Sequence, residues 1–418
     1  APAAGPGAAL GTTIVPKTAN QARAGDRATA ADVLRTRYDH TASAALQRDL
    51  LDVERLPLER LRNKLRAYRR GVEPLPDERG RLTRTLALAW AAIPAWIGLE
   101  REEAKLRSKA DAKVAKRFDR VAVWRSATQG RRDLLRRYAP TIAVEWPQDR
   151  GYPIDDDRIG TVRLAGGPGA VEVHIDPASP ALYAYTWTAK IHGRRHRQLV
   201  YVWWFPERPE MTPRDPSAGR IDGGMLRITL DARDRPLIVE SSLNCGCGHQ
   251  VFVSAALEAS ARRAYGGPLP GKRFATEQHM RGKHDVIVID TFDLPDDKTR
   301  PRPVIYVAAG YHEVCRVTFA DPAQRDGVRV VADAAYALMD YRVLERLPLG
   351  DGVASMFGAD GLVHGAGRPE GYLLAPTGIL SAGQPRQRGT HRIRWDDFLF
   401  DDPHLLERTL RWPTYTAP

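Results

Sequence analysis

The chain has 418 residues, 43% hydrophobic and 27% charged, which excludes a wholly disordered or collagen-like protein and fits two domains, or one large domain with a helical extension. Residues 1–150 hold 30 Lys and Arg against 18 Asp and Glu, while the other 268 residues hold 33 of each, so the whole net charge of +12 lies in the first part. A nucleic-acid enzyme places basic charge around its cleft as well; the pattern instead suggests a separable basic module for an anionic membrane surface or a protein partner, with no specific nucleic acid, or else helices with solvated Arg-rich faces.

Residues 1–30 are rich in Ala, Gly, Thr and Pro without periodicity and read as a flexible leader. The opening APAAGPGAAL has the small residues found around a signal-peptidase cut, which suggests a periplasmic or secreted protein. Helical spacing starts near Thr29–Asp32, with Leu46, Leu50 and Val53 on one face. Pro57 opens a second helix whose apolar face is Leu58, Leu61, Leu65 and Tyr68. The apolar run at 86–99 is 14 residues long and contains Pro94 and Gly98, short of the ~20 residues of a membrane helix. A basic helical bundle over 31–150 is the expectation, followed by a β-rich domain over 151–418. The fold class expected is thus α+β: a helical bundle, then a mainly antiparallel sheet with flanking helices.

The β-rich part begins clearly at Val171. Tyr183, Tyr185, Trp187, Ala189 and Ile191 alternate with Ala184, Thr186, Thr188 and Lys190 as a half-buried strand does. The run 199–205, LVYVWWF, is apolar on both faces, as in a central strand. Its aromatics either line a pocket or fill a buried sheet. Residues 225–230 and 236–242 predict a hairpin around DARDR, with further strands at 251–253, 286–289, 304–307 and 328–331. Helices are predicted at 255–265 and 334–346.

Three cysteines are too few for a disulfide scaffold. Two of them form the sharpest motif, Cys245-Gly-Cys247-Gly-His249. On extended backbone these ligands share one face at ~6.5–7 Å intervals. Two sulfurs on one tetrahedral metal lie ~3.8 Å apart, so the chain must curl, and the glycines permit it. Two thiolates and an imidazole suit a transition metal, copper favoured over zinc or iron. His312, after the strand-like 305–310, is the best added ligand. Cys315, His279, His284 and His391 are further candidates. The alternatives are a disulfide from Cys315 to Cys245 or Cys247, or small residues in a tight turn.

The segment HGRRHR at 192–197 places Arg194, Arg195 and Arg197 beside His192 and His196, an anion patch or a solvated turn. Asp155, Asp156 and Asp157 lack the spacing of a calcium loop, and Gly166, Gly167 and Gly169 lack the Lys-Ser/Thr of a phosphate loop. Asp222, Gly223 and Gly224 fit a turn before a strand. The functional expectation is an exported metal-binding protein, as a copper- or iron-dependent oxidoreductase on an unidentified small molecule. The alternatives are a noncatalytic metal-trafficking protein, or an envelope protein with a structural disulfide and a basic docking module.

Overall fold

Short runs of Val, Ile and aromatic residues bounded by Gly, Pro and Asp assemble here into one large sheet. The computed structural model describes residues 118–128, 133–167, 170–211, 217–244, 249–280, 286, 288–295, 302–325, 327–359, 361–366 and 402–413. Strand accounts for 49% of this and helix for 14%. Eleven strands pair in the order β10 (Val288–Phe292), β9 (Gln250–Ser254), β8 (Pro236–Leu243), β7 (Gly219–Leu230), β6 (Arg194–Arg208), β5 (Ala181–Ile191), β13 (Arg329–Asp340), β1 (Arg120–Ser126), β2 (Thr141–Glu145), β11 (Val304–Val307) and β12 (Val314–Thr318). The sheet curls into a nearly closed barrel. Its two ends, β10 and β12, lie against each other, and Phe292 meets Phe319 across the seam with ring centroids 5.3 Å apart.

Both faces of the sheet are covered, which explains the two-sided apolar run in β6. The inner face gathers Trp124, Leu182, Tyr201, Trp203, Phe205, Leu226 and Tyr336 in one core. On the outer face Val200, Val202, Trp204 and Met225 pack with Val162 and Val173, which belong to the hairpin of β3 (Thr161–Gly167) and β4 (Ala170–Asp176). Further along, Ile238 and Val253 pack with Leu257 of α2 (Ala255–Tyr265) and Leu406 of α3 (Leu405–Thr409). The N-cap of α2 is Ser254, whose side chain accepts from the Leu257 N–H, and Gly266 ends the helix in the left-handed conformation at φ 73°, the standard polar start and glycine stop. A small hairpin of β14 (Leu347–Leu349) and β15 (Gly352–Ala354) stands apart from the main sheet.

The expected fold class is wrong. The leader and the predicted helices before residue 118 lie outside the described residues. The remainder of the expected bundle, 118–150, holds β1, the four-residue helix α1 (Leu134–Arg137) and β2. β1 sits within the sheet between β13 and β2. Its centre, Val121–Trp124, is buried on both faces, so it carries no alternation to mark it as a strand. The sheet is also mixed rather than mainly antiparallel: β1/β13, β5/β13, β2/β11 and β9/β10 are parallel pairs.

The predicted helix at 334–346 is strand β13 followed by a 3-10 turn at Tyr341–Glu345. Its Ala-rich sequence favours helix locally, but ladder hydrogen bonds to β1 and β5 and burial of Tyr336 outweigh propensity. The predicted strands at 183–191, 199–205, 225–230, 236–242, 251–253 and 304–307 all form, several of them longer than expected. The basic turn at 192–197 shrinks to His192 and Gly193, both at positive φ, with Arg194–Arg197 already in β6. This is the two-residue hairpin geometry that follows strand twist.

Candidate functional site

Two buried charged constellations occur in the sheet. The first starts from register: Arg227 of β7 stands directly opposite Glu240 of β8. Its Nε donates to Glu240 Oε2 at 2.7 Å and its Nη2 to Oε1 at 2.6 Å. His249, just before β9, brings Nε2 to 3.1 Å from the same Oε1. Arg227 is 2% exposed, Glu240 0% and His249 2%. Burial alone would raise the Glu240 carboxyl; the Arg227 charge and the bonds from His249 and Arg227 outweigh it and draw it down to about 2. A bidentate guanidinium thus holds an ionised carboxylate against the imidazole.

The second constellation lies on the inner face. Asp222 of β7 is paired in register with Phe205 of β6. His312, in the loop between β11 and β12, stacks on the Phe205 ring at 3.9 Å between centroids. Its Nδ1 lies 2.7 Å from Asp222 Oδ2 and its Nε2 3.3 Å from Asp157 Oδ1. Asp157 also accepts from Arg150 Nη1 at 2.9 Å, the Tyr152 hydroxyl at 3.0 Å and the Gly310 N–H at 2.7 Å. The loop reaches this position through Gly310 at φ 70° and His312 itself at φ 58°. A Cβ at Gly310 would lie 2.2 Å from Met211 Sδ, the movable end of a flexible side chain, so it is the left-handed backbone that calls for glycine.

The charges in this second cluster balance: Arg150 and a protonated His312 against Asp157 and Asp222. Burial alone would lower the His312 pKa; the bonds to Asp157 and Asp222 overcome it, and the net shift is upward. Tyr152 is pushed well up by burial and by the neighbouring Asp157 charge. Asp156 is raised to about 6, by burial first and then by Glu207 and Asp157.

The structure separates His249 and His312, which the sequence analysis grouped in one centre. His249 and His312 lie on opposite faces of the sheet, each bound to its own carboxylates. Both ring nitrogens of His312 face Asp oxygens. Cys315 is in no disulfide, and it packs with Val121 and Tyr306 in a separate cluster. His279 Nε2 contacts the Pro270 carbonyl at 3.1 Å. Cys245, Cys247, His284 and His391 lie outside the described residues. Arg197 pairs with Asp234 at 3.1 Å, and Arg194 and Arg195 are exposed on the same hairpin. Among the described residues no group of three or more His, Cys, Asp or Glu is arranged to hold a metal ion.

The residues that sequence reasoning missed are the carboxylates. Asp157 belongs to the run that lacks calcium-loop spacing, yet it is fully buried. Asp222 lies within β7, not in a turn before it. Gly223 beside it permits close approach, since a Cβ there would lie 2.3 Å from the Trp203 carbonyl oxygen. A Gly-Gly pair next to an aspartate inside an otherwise apolar segment was the available signal. Comparison with protein-family models, with curated proteins and with solved structures finds no match to this chain.

Proposed function

We propose that the chain is a metal-binding protein that takes a soft transition metal ion, copper in preference to zinc or iron, through Cys245, Cys247 and His249. One observation carries the reading: His249 Nε2 is held by Glu240, which Arg227 grips from the other side. Metal-bound histidines are oriented in this way, with one ring nitrogen on a carboxylate and the other on the ion. A neutral imidazole carrying its proton on Nε2 is the tautomer that can ligate a metal through the other ring nitrogen. Cys245 and Cys247, four and two residues earlier in the sequence, would supply the soft thiolate ligands that favour copper. His312 is not retained in the set, because both of its nitrogens are engaged by carboxylates.

The test is metal analysis of untagged protein, followed by competition titration with Cu(I). One equivalent bound by the wild type is expected, lost in Cys247→Ser and unchanged in Cys315→Ser. Glu240→Gln is expected to weaken binding by ~10–100-fold. Equal binding by wild type and Cys247→Ser would overturn the proposal. Three protein ligands with an open position would mark a redox catalyst, and a closed four-ligand shell a carrier or structural site.

A further inference from the structure

Strand β12 and the loop that follows it bring two arginines to one aromatic ring on the outer face of the sheet. Tyr306 of β11 is fully buried there, packed with Phe118, Val121 and Val123. Arg316 stands directly opposite it in the β11–β12 register, where cross-strand Cβ atoms lie ~4.5–5.5 Å apart. Arg325, at the end of the 3-10 turn Pro322–Gln324, reaches the same ring with Cζ 5.7 Å from its centroid. Both arginines are half-buried. Burial first, and then the Arg325 charge, lower the Arg316 pKa, so the two guanidinium groups act on one another as like charges. No carboxylate offsets them. Asp321, four residues before Arg325, is already taken: its two oxygens accept from Arg125 Nη1 at 3.0 Å and Nη2 at 2.9 Å. Asp290 of β10 acts on Arg316 through its charge alone. Among the described residues neither Arg316 nor Arg325 forms an ion pair or a side-chain hydrogen bond.

We propose that Arg316 and Arg325 form a binding site for a dianionic phosphate group. Two neighbouring positive charges without a counter-charge are matched by one ligand that carries two negative charges, whereas a single carboxylate or a phosphodiester leaves one of them uncompensated. Guanidinium forks bind phosphate oxygens in pairs. Both side chains keep part of their surface open to solvent, so a ligand can reach them. The loop that carries Arg325 is held from the other side, because Asp321 accepts from the Ala323 N–H at 2.9 Å as well as from Arg125, and a site fixed before the ligand arrives binds at a smaller ordering cost. Free phosphate and a phosphomonoester share this chemistry. The site is independent of the proposed metal ligands.

The experiment is calorimetry and thermal melting of the full chain in Tris chloride at pH 8, with inorganic phosphate, glycerol phosphate, dimethyl phosphate and acetate. Inorganic phosphate or glycerol phosphate is expected to bind and to raise the melting temperature, and the tighter of the two identifies the source. The monoanions dimethyl phosphate and acetate are expected to bind at least ~10-fold more weakly. Arg316→Gln and Arg325→Gln are each expected to lose ~10-fold in phosphate affinity while keeping the near-ultraviolet tryptophan spectrum of the folded protein. Arg194→Gln removes the same charge from the β5–β6 hairpin, where Arg194 is exposed, and is expected to leave phosphate binding unchanged. The proposal is overturned if neither phosphate binds, if acetate or dimethyl phosphate binds as tightly, if folded Arg316→Gln and Arg325→Gln proteins keep the wild-type affinity, or if Arg194→Gln weakens binding as much as they do.

Discussion

Replacing His312 with Gln tests the physical account of the inner-face cluster. His312 is fully buried, with Asp222 at 2.7 Å and Asp157 at 3.3 Å from its two nitrogens. Arg150 and Tyr152 reach it only through Asp157. A neutral amide can serve one carboxylate but supplies no charge, and breaking a buried charge pair on one side costs ~3–5 kcal/mol. At ~2–4 °C per kcal/mol for a domain of this scale, the melting temperature should fall by ~6–20 °C at pH 6. The pH dependence carries a definite sign. The folded-state pKa of His312 lies above the ordinary 6.5, so the folded protein binds this proton more tightly than the unfolded chain does. The stabilisation is fully present below about pH 6.5 and is lost as pH rises through the folded value. Urea unfolding followed by tryptophan fluorescence at pH 6, 7.5 and 9 should show the gap between wild type and His312→Gln shrinking toward alkaline pH. Asp156, whose ionised form the His312 charge favours, is taken out of the comparison by making both proteins in an Asp156→Asn background. A gap that stays constant, or widens as pH rises, would refute a protonated His312 between the two aspartates.

Other outcomes follow from single contacts. Asp156, raised to about 6, holds a proton in the folded state that the unfolded chain releases near 3.8, so stability should fall as pH rises through that window. Asp156→Asn should therefore gain on the wild type between pH 4 and 7, as read by thermal melts. Gly310→Ala should lower stability by ~1–2 kcal/mol, since it puts a side chain on a left-handed backbone; denaturant midpoints measure it. Ser254→Ala removes the α2 cap and should cost ~1 kcal/mol in the same assay. Gly223→Ala should separate the Asn244 side chain from the Trp203 carbonyl, visible as a changed near-ultraviolet tryptophan spectrum.

The sequence by itself determined the elements whose signals are local. Strand β5 shows period-two alternation, β6 an unbroken apolar run, and α2 a serine cap and a glycine stop, and each forms close to where those signals place it. The Cys245-Gly-Cys247-Gly-His249 spacing can be read from five residues of sequence, and its role as a metal site is the proposal made above. Only the tertiary structure decided the rest. β1 and β13 are strands because they pair with one another, and Arg120 finds Arg329 across 209 positions of chain; no local pattern encodes such a partner. Asp222 and His312 lie 90 residues apart and become neighbours only when the β11–β12 loop folds over Phe205. Whether an aspartate is a solvated surface group or the buried partner of an imidazole depends on what covers it. Asp155 and Asp157 show this within one run, the first exposed and the second fully buried, because desolvation and charge pairing are properties of the assembled sheet and not of the residue.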